Sequence, residues 1–281
     1  KLQKEQRTKQ QEQKQQSLQF ESYVSDLSNS LKNKLNQHQE NLKVLASFFE
    51  HSEHVTRLEF KNFSKRILQQ QNDIQALAWI PYVTETERQQ FELNINNEGI
   101  SRFKIFDKSN PADITRQHNI YAVITYIEPF KDNKRALGLN VLSDKKVAKT
   151  LSKAQETGST AISPAVELVQ DLTKQLGIVL YHPVYKEGHG LEVFEKKNIF
   201  PIGFVASVFY VKNLIQASLL GIDNSNIAFE LYEQLNNGQL QFLYGNEIEK
   251  ESKGNNDAKG QLSYQTTFLI ADKYWKVHFN F

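Results

Sequence analysis

The chain has 281 residues, with 34 basic and 32 acidic side chains, and is long enough for one large domain or two small ones. This near-balance of charge creates no long-range field, and no basic patch with interleaved aromatic residues is present, so nucleic-acid binding is not expected as the main role. The absence of cysteine excludes disulfides, thiol catalysis and cysteine-ligated metals.

The sequence also contains no methionine, and its longest apolar run, at residues 204–211, is far shorter than the roughly 20 residues that a membrane span needs. No signal-peptide pattern stands at the N-terminal end. A missing start and a missing membrane anchor are typical of an excised ectodomain, and equally of any trimmed soluble fragment. We therefore expect a piece of a longer protein.

A long N-terminal helix is predicted. Residues 1–16 are almost wholly Lys, Gln, Glu and Arg, which are good helix formers, and no Gly or Pro interrupts residues 1–80. From residue 20 the helix, predicted to run to about residue 51, carries a seam that fits a dimer interface and packing on the chain's own domain equally well. The seam consists of Phe20, Val24, Leu27, Leu31, Leu35, His38, Leu42, Leu45 and Phe49.

Shorter elements follow. A second helix is predicted over residues 57–71 and a strand over residues 74–83. Thr84 and Glu87 form a capping box for a third helix, which Gly99 ends. Further strands are predicted at residues 103–106, 121–127 and 137–142, separated by a loop at residues 107–119 and by Pro129.

Ser143 is predicted to cap a helix over residues 144–157, which Gly158 ends, and Ser163-Pro164 has the order that opens a short helical segment. Strands at residues 178–185 and 202–211 flank a loop at 188–197, and a helix at 212–220 ends at Gly221. The remaining strands lie at residues 227–232, 240–244, 262–270 and 274–281, with a loop at 246–261. This pattern predicts an α+β fold with two sets of strands and helices, the second mostly antiparallel.

No catalytic or metal site is predicted. His51 and His54, beside Glu50 and Glu53, have a spacing that could hold a metal on a helix, but no third ligand follows with a motif spacing, which favours a solvated helix end. His182 lies in an apolar strand as a core histidine or as a pocket wall. Nucleophile-elbow, zinc-protease, dinucleotide-binding and P-loop motifs are all missing from the sequence, so no cofactor is expected.

Six segments resemble, in order and spacing, the CHASE family, the extracytoplasmic sensor regions of membrane histidine kinases, adenylyl cyclases and cyclic-di-GMP enzymes. They are AWIPYV at residues 78–83 with the following Glu87-Arg88 and Phe91-Glu92, YIEP at 126–129, GLN at 138–140, AQETG at 154–158, GIVLYHPVY at 177–185, and IGFV at 202–205 with Leu214-Ile215.

The resemblance implies a long N-terminal helix followed by two PAS-like lobes with antiparallel sheets. The stalk helix would occupy residues 1–56, a membrane-distal ligand-binding lobe residues 57–211, and a membrane-proximal lobe residues 212–281. The chain would then be a sensor without catalytic activity of its own. It would lie in the periplasm or outside the cell, between two membrane-spanning helices that this piece lacks.

The resemblance also implies six ligand-binding residues in the distal lobe. Family members that bind cytokinins carry an aspartate that contacts the adenine ring, and Asn140 stands at that position, which offers a donor and an acceptor but no charge. Structural roles remain alternatives: Asn140 could cap the next helix, Thr157 could satisfy the last helical turn, and Ile162 and Ala206 could be core. The six residues are Tyr126, Asn140, Thr157, Ile162, Val184 and Ala206.

Two functions remain open. The first is a sensor that binds a small molecule, forms a homodimer through the N-terminal helix, and passes the change through that helix and the C-terminal strand to a histidine kinase or a diguanylate cyclase or phosphodiesterase. The second is a dimerisation or protein-interaction ectodomain without a small ligand. In that case the distal lobe would be filled by its own side chains.

Overall fold

The computed structural model describes residues 2–108, 118–168, 175–186, 200–222, 228–235, 237–246, 263–270 and 273–280. Their helices are α1 (Leu2–Glu50), α2 (Arg57–Gln70), α3 (Glu85–Asn97), α4 (Phe130–Asn133), α5 (Lys145–Thr157) and α6 (Val211–Ser218). Their strands are β1 (Ala76–Thr84), β2 (Phe106–Asp107), β3 (Ile120–Ala122), β4 (Tyr126–Glu128), β5 (Leu139–Asn140), β6 (Ala161–Ile162), β7 (Val166–Glu167), β8 (Leu176–Val184), β9 (Gly203–Tyr210), β10 (Ala228–Gln234), β11 (Leu240–Asn246), β12 (Ser263–Ile270) and β13 (Lys273–Asn280).

The predicted α+β class, with a long N-terminal helix and antiparallel sheets, is confirmed. The chain forms a larger unit, Gln37–Asn213, and a smaller unit, Lys1–Asn36 with Leu214–Phe281. This division cuts the N-terminal helix after residue 36. The predicted loop at residues 188–197, and residues 247–261 of the later loop, lie outside the described residues.

A seven-stranded sheet forms the centre of the larger unit, with the strand order β3-β1-β9-β8-β6, while β4 also pairs with β1 and β7 with β8. All these pairs are antiparallel. The first five residues of β1 are all buried, as are all residues of β9 except the last. Both faces of these strands are therefore covered, which explains their unbroken apolar sequences.

Helices α1 and α2 cover one face of this sheet. The rings of Phe49 and Trp79 stack with their centroids 4.1 Å apart, and Phe60 contacts Tyr126 at 5.6 Å. Thr56 and Glu59 form a capping box at the start of α2 that the sequence reading did not identify. Large aromatic side chains thus fill the space between helices and sheet, and we call this side of the sheet the helix face.

The seam of α1 is buried within the chain itself. Leu27, Leu31, Leu42 and Leu45 are completely buried, and Leu35 is nearly so. Packing on the chain's own domains, one of the two uses predicted for this seam, is therefore what the structure shows. The helix ends at Glu50, so His51 and His54 lie beyond its end. The spacing considered for them as two positions on one helix therefore does not apply.

The smaller unit contains the antiparallel sheet β11-β10-β13-β12. Trp275, Val277 and Phe279 of β13 are buried, as expected for a strand in which apolar residues alternate with polar ones. Phe279 contacts Phe20 at 4.5 Å and Tyr23 at 5.7 Å between ring centroids. The first half of α1 is thus held on this sheet by aromatic contacts.

Local signals identified most helix ends. Thr84 and Glu87 form the predicted capping box, and Gly158 ends α5 with a positive φ of 61°. The prediction that Ser143 caps α5 was wrong by one residue, because Asp144 accepts hydrogen bonds from the first-turn amides. The helix predicted after Ser163-Pro164 was also wrong: the Ser163 hydroxyl accepts a hydrogen bond from the Val179 amide, and β7 follows.

Two predicted strands are interrupted. The apolar run at residues 121–127 is divided between β3 and β4, and the strand predicted at 137–142 is reduced to β5, which a 3-10 helix over Val141–Ser143 follows. Between β3 and β4, Val123 makes an isolated bridge to Asn140. These interruptions bring the end of β5 beside the central sheet.

Candidate functional site

A cavity of about 60 Å³ lies in the larger unit, on the side of the sheet opposite the helix face. We call this side the cavity face. Its walls come from β1, β8 and β9, from α5 and from the segments on either side of β5. The apolar lining residues are Ala78, Ile80, Ile124, Ile127, Ala136, Leu139, Val141, Val147, Val166, Leu168, Val179, Ala206 and Val208.

The alternation of side chains along the strands explains why space remains there. Ala78 of β1 lies directly opposite Ala206 of β9, and Ala206 lies opposite Tyr181 of β8. Residues facing each other across an antiparallel pair share one face of the sheet. Two methyl side chains therefore meet at the centre of the cavity face, and α5 packs over this side without filling it.

Gly138 positions the segment that contributes Leu139 and Asn140 to the cavity lining. Its φ is +89°, and a Cβ atom at this position would stand 2.2 Å from the carbonyl oxygen of Lys104. Only glycine fits such a close approach in this conformation. The approach allows β5 to pair in parallel with β2, which sets Asn140 opposite Asp107. The Gly-x-Asn motif thus has a structural basis.

Asn140 is completely buried and contributes to the cavity lining. Its side-chain oxygen accepts hydrogen bonds from the backbone amides of Ala122 at 3.2 Å and Leu142 at 3.3 Å. Its Nδ2 donates to Asp107 Oδ1 at 2.9 Å. Asn140 therefore caps the short 3-10 helix, close to the capping role suggested as an alternative, and within the described residues one of its two amide hydrogens is left to meet a ligand.

Lys108 and Asp144 form an ion pair at the polar end of the cavity, with Nζ and Oδ2 2.9 Å apart. Asp144 Oδ1 also accepts a hydrogen bond from the Lys146 amide at 2.9 Å. Burial by itself would raise the pKa of Asp144, but the hydrogen bonds from Lys108 and from the Lys146 amide lower it below its ordinary value. Ser143 and Glu167 complete the polar lining with Tyr181.

The Tyr181 side chain is 4% exposed and lines the same cavity. Its hydroxyl makes no hydrogen bond within the part of the chain that the structure describes. Burial raises the pKa of Tyr181, with a smaller contribution from the negative charge of Asp144, so the phenol stays protonated at neutral pH. Tyr181 was not among the residues predicted from the sequence. Its spacing of two from Val179 along a strand could have placed the side chains of Tyr181 and Val179 on the same face of the sheet.

The structure brings together two of the six predicted ligand residues, Asn140 and Ala206, at the cavity. Ile162 pairs with Leu180, and Val184 with Gly203, so both side chains point to the helix face. Thr157 is exposed at the end of α5, where its hydroxyl donates to the Lys153 carbonyl at 2.9 Å.

Tyr126 also lies on the helix face. Its hydroxyl donates to the Val55 carbonyl at 3.1 Å, and the Arg57 guanidinium lies 4.6 Å from the centre of its ring. Burial raises the pKa of Tyr126 to about 12. The hydroxyl therefore joins the connection between α1 and α2 to the sheet.

The described histidines of the larger unit are not among the residues that line the cavity. His182 points to the helix face, where its Nδ1 is 2.9 Å from the Thr160 hydroxyl, and burial lowers its pKa to about 4. A core histidine with a partner, one of the two roles predicted for it, is thus observed. His38 Nε2 lies 2.7 Å from Asp73 Oδ2, and both side chains are buried.

Among the described residues, no group of three or more His, Asp or Glu side chains is arranged to bind a metal ion. The same part of the chain contains no helix that is both long and apolar enough to cross a membrane.

The stretch of chain that forms this cavity matches the model of a known protein family. The model of the CHASE domain matches residues 53–244, which is more than half of the chain and includes every residue of the cavity lining. CHASE domains are extracellular sensor regions and are not catalytic. A search of curated proteins found no match.

Proposed function

The chain belongs to the CHASE domain family, and on that premise we propose that it is the ligand-sensing region of a transmembrane receptor, exposed to the periplasm or to the exterior of the cell. The ligand is a small molecule that binds in the cavity of the larger unit. The observation that carries this proposal is the cavity itself, which lies inside the matched region and combines apolar walls with a polar end.

The size of the cavity limits what it accepts. An engineered apolar cavity of about 150 Å³ binds benzene, whereas pockets for larger ligands measure roughly 300 Å³ or more. At about 60 Å³ the site admits a compact ligand, and a larger one requires the segment over β5 or helix α5 to move outward. Such movement is the kind of change that a sensor converts into a signal.

The two faces of the sheet provide a route for this signal. Trp79 of β1 stacks on Phe49 of α1. Its two chain neighbours, Ala78 and Ile80, line the cavity. A ligand that favours one arrangement of the cavity face therefore also biases the contact of β1 with α1. We propose that α1 and β13 carry this change towards flanking membrane helices and an output enzyme. A histidine kinase and a cyclic-di-GMP enzyme are the candidate outputs.

Dimerisation is part of the proposal, but not through the apolar seam of α1, because the chain's own residues bury it. The exposed polar positions of α1 would have to form the contact. The sedimentation coefficient of the purified chain, measured over a range of concentrations, tests whether it forms homodimers.

The alternative of an interaction module without a small ligand predicted a lobe filled by its own side chains. The cavity beside Asn140 favours the sensor.

The test is a ligand screen against two matched variants. Native mass spectrometry of the purified chain, followed by thermal-shift screening and calorimetry, identifies retained or added small molecules. Ala206→Val adds two methyl groups inside the cavity and should abolish binding. Ala76→Val adds the same groups on the same face of the sheet at a residue outside the cavity lining, and binding should persist. The proposal fails if no compound binds, or if both variants bind like the parent chain.

A further inference from the structure

Among the cavity-lining residues, the hydroxyl of Tyr181 has no hydrogen-bond partner within the described residues. Buried tyrosine hydroxyls are nearly always hydrogen-bonded, because an unpaired polar group away from water costs free energy. In the larger unit the hydroxyls of Tyr82, Tyr126 and Tyr185 follow this rule and bond to Gln155, Val55 and Gln155 respectively. Tyr181 is buried as a residue to a similar or greater extent, but its hydroxyl has no such bond within the described residues and is not fully enclosed, so it is open to the cavity that it lines.

Asn140 shows the opposite situation. Two backbone amides donate to its side-chain oxygen, and its amide nitrogen donates to Asp107. The acceptor oxygen is thus already occupied by the fold. A ligand can meet only the second amide hydrogen of Asn140, because the fold already engages the rest of this side chain, whereas the Tyr181 hydroxyl has no described partner and is fully available to a ligand.

We infer that Tyr181 is the residue that recognises the polar atom of the ligand, and that the ligand is a compact, uncharged, mainly apolar molecule with one hydrogen-bond acceptor such as a carbonyl oxygen. The inference rests on the proposed function, since it assigns the chemistry of the same cavity.

The charges around the cavity support an uncharged ligand. Three charged residues line it: the cation of Lys108 and the carboxylates of Asp144 and Glu167. Lys108 is already paired with Asp144, so an anion would meet an excess of negative charge. A cation would lose its hydration against walls that are mostly apolar, and Asp144 already accepts hydrogen bonds from Lys108 and two backbone amides. The protonated Tyr181 phenol fits an acceptor atom.

Acetone and isobutene form a matched pair of probes, because they have the same shape and differ in a carbonyl oxygen against a methylene group. Binding of each, and of xenon, is followed by NMR through the methyl groups of Ile80, Ile127, Val179 and Val208, which line the cavity. In Tyr181→Phe the affinity for acetone should fall about fivefold, the value of one ordinary hydrogen bond, while isobutene should change by less than about twofold.

Tyr126→Phe is the matched control. It removes a hydroxyl that bonds to Val55 on the helix face, so it should lower the melting temperature and leave acetone binding unchanged. Tyr181→Phe should leave the melting temperature unchanged or raise it, because the hydroxyl has no described partner to lose.

The outcomes separate two failures. If xenon and both probes fail to bind the parent chain, the cavity does not accept small apolar molecules, and the proposed function loses its site along with this inference. If the probes bind but Tyr181→Phe lowers the affinities for acetone and isobutene equally, only the assignment to Tyr181 is overturned. The same holds if Tyr181→Phe changes neither affinity. A clear loss of stability in Tyr181→Phe would also overturn it, by showing that the hydroxyl has a structural partner.

Discussion

The two faces of the central sheet use the same strands for opposite purposes. On the helix face, large side chains such as Trp79, Phe49 and Phe209 fill the volume between β-strands and helices. On the cavity face, Ala78 and Ala206 meet at the centre and leave space. Because side chains alternate along a strand, different residues of the same strand form the two faces. The comparison teaches that the residues that fill the core and the residues that leave the cavity open lie on opposite sides of a single layer of backbone.

The largest effect is expected on the helix face. Trp79→Ala removes a buried ring that stacks on Phe49, and the free energy of unfolding should fall by about 3–5 kcal/mol. Its chain neighbour Ile80 faces the cavity, and Ile80→Val should cost only about 1 kcal/mol. Urea unfolding of both variants checks this pair. A loss below about 2 kcal/mol for Trp79→Ala would contradict the structural role assigned to the helix face.

A smaller effect is expected from the polar contact buried on the helix face. Asp73 lies 2.7 Å from His38, whose ring also contacts Phe209 at 4.5 Å between centroids. Asp73→Ala leaves the imidazole of His38 buried without this acceptor and should lower the free energy of unfolding by about 2 kcal/mol.

A double-mutant cycle with His38→Leu measures the contribution of the pair itself. An interaction energy near zero would show that the pair does not help to hold α1 on the sheet.

The smallest expected effect is a dependence on pH. The folded-state pKa of His182 is lowered to about 4, so between this value and the ordinary 6.5 the unfolded chain binds the proton and the folded chain does not. Stability from this residue is complete above about pH 6.5 and is lost as the pH falls towards about 4, by about 1–2 kcal/mol.

Chemical denaturation at several pH values checks this prediction. In His182→Gln the free energy of unfolding should depend less steeply on pH between these two values than in the parent chain. An unchanged slope would mean that other groups cause the loss.

Short-range interactions explain why many elements could be predicted. The Thr84–Glu87 capping box and the Gly158 stop each involve residues within one helical turn, so their signals are complete in the local sequence. The capping of α5 shows the limit of such signals. Ser143 has the right chemistry for a cap, but its hydroxyl donates to the Asn140 carbonyl and accepts from the Lys108 amide, which leaves Asp144 to cap the helix.

The site was predictable only in part. The family resemblance pointed to Asn140 and Ala206, and both line the cavity. The same resemblance pointed to Val184, but this residue lies three positions from Tyr181 along β8, and an odd separation places the two side chains on opposite faces. Which of these faces would contain the cavity depended on the pairing of β8 with β9, which the local sequence does not encode.

The amino-acid sequence by itself determined the α+β class, the long helix α1, most strands and the family to which the chain belongs, because capping, periodicity and family motifs are local features. Only the tertiary structure decided that the seam of α1 packs within the chain, that Asn140 is engaged by the fold, and that Tyr181 faces the cavity. These features depend on pairs such as Ala78 and Ala206, which are far apart in sequence and meet only through strand register.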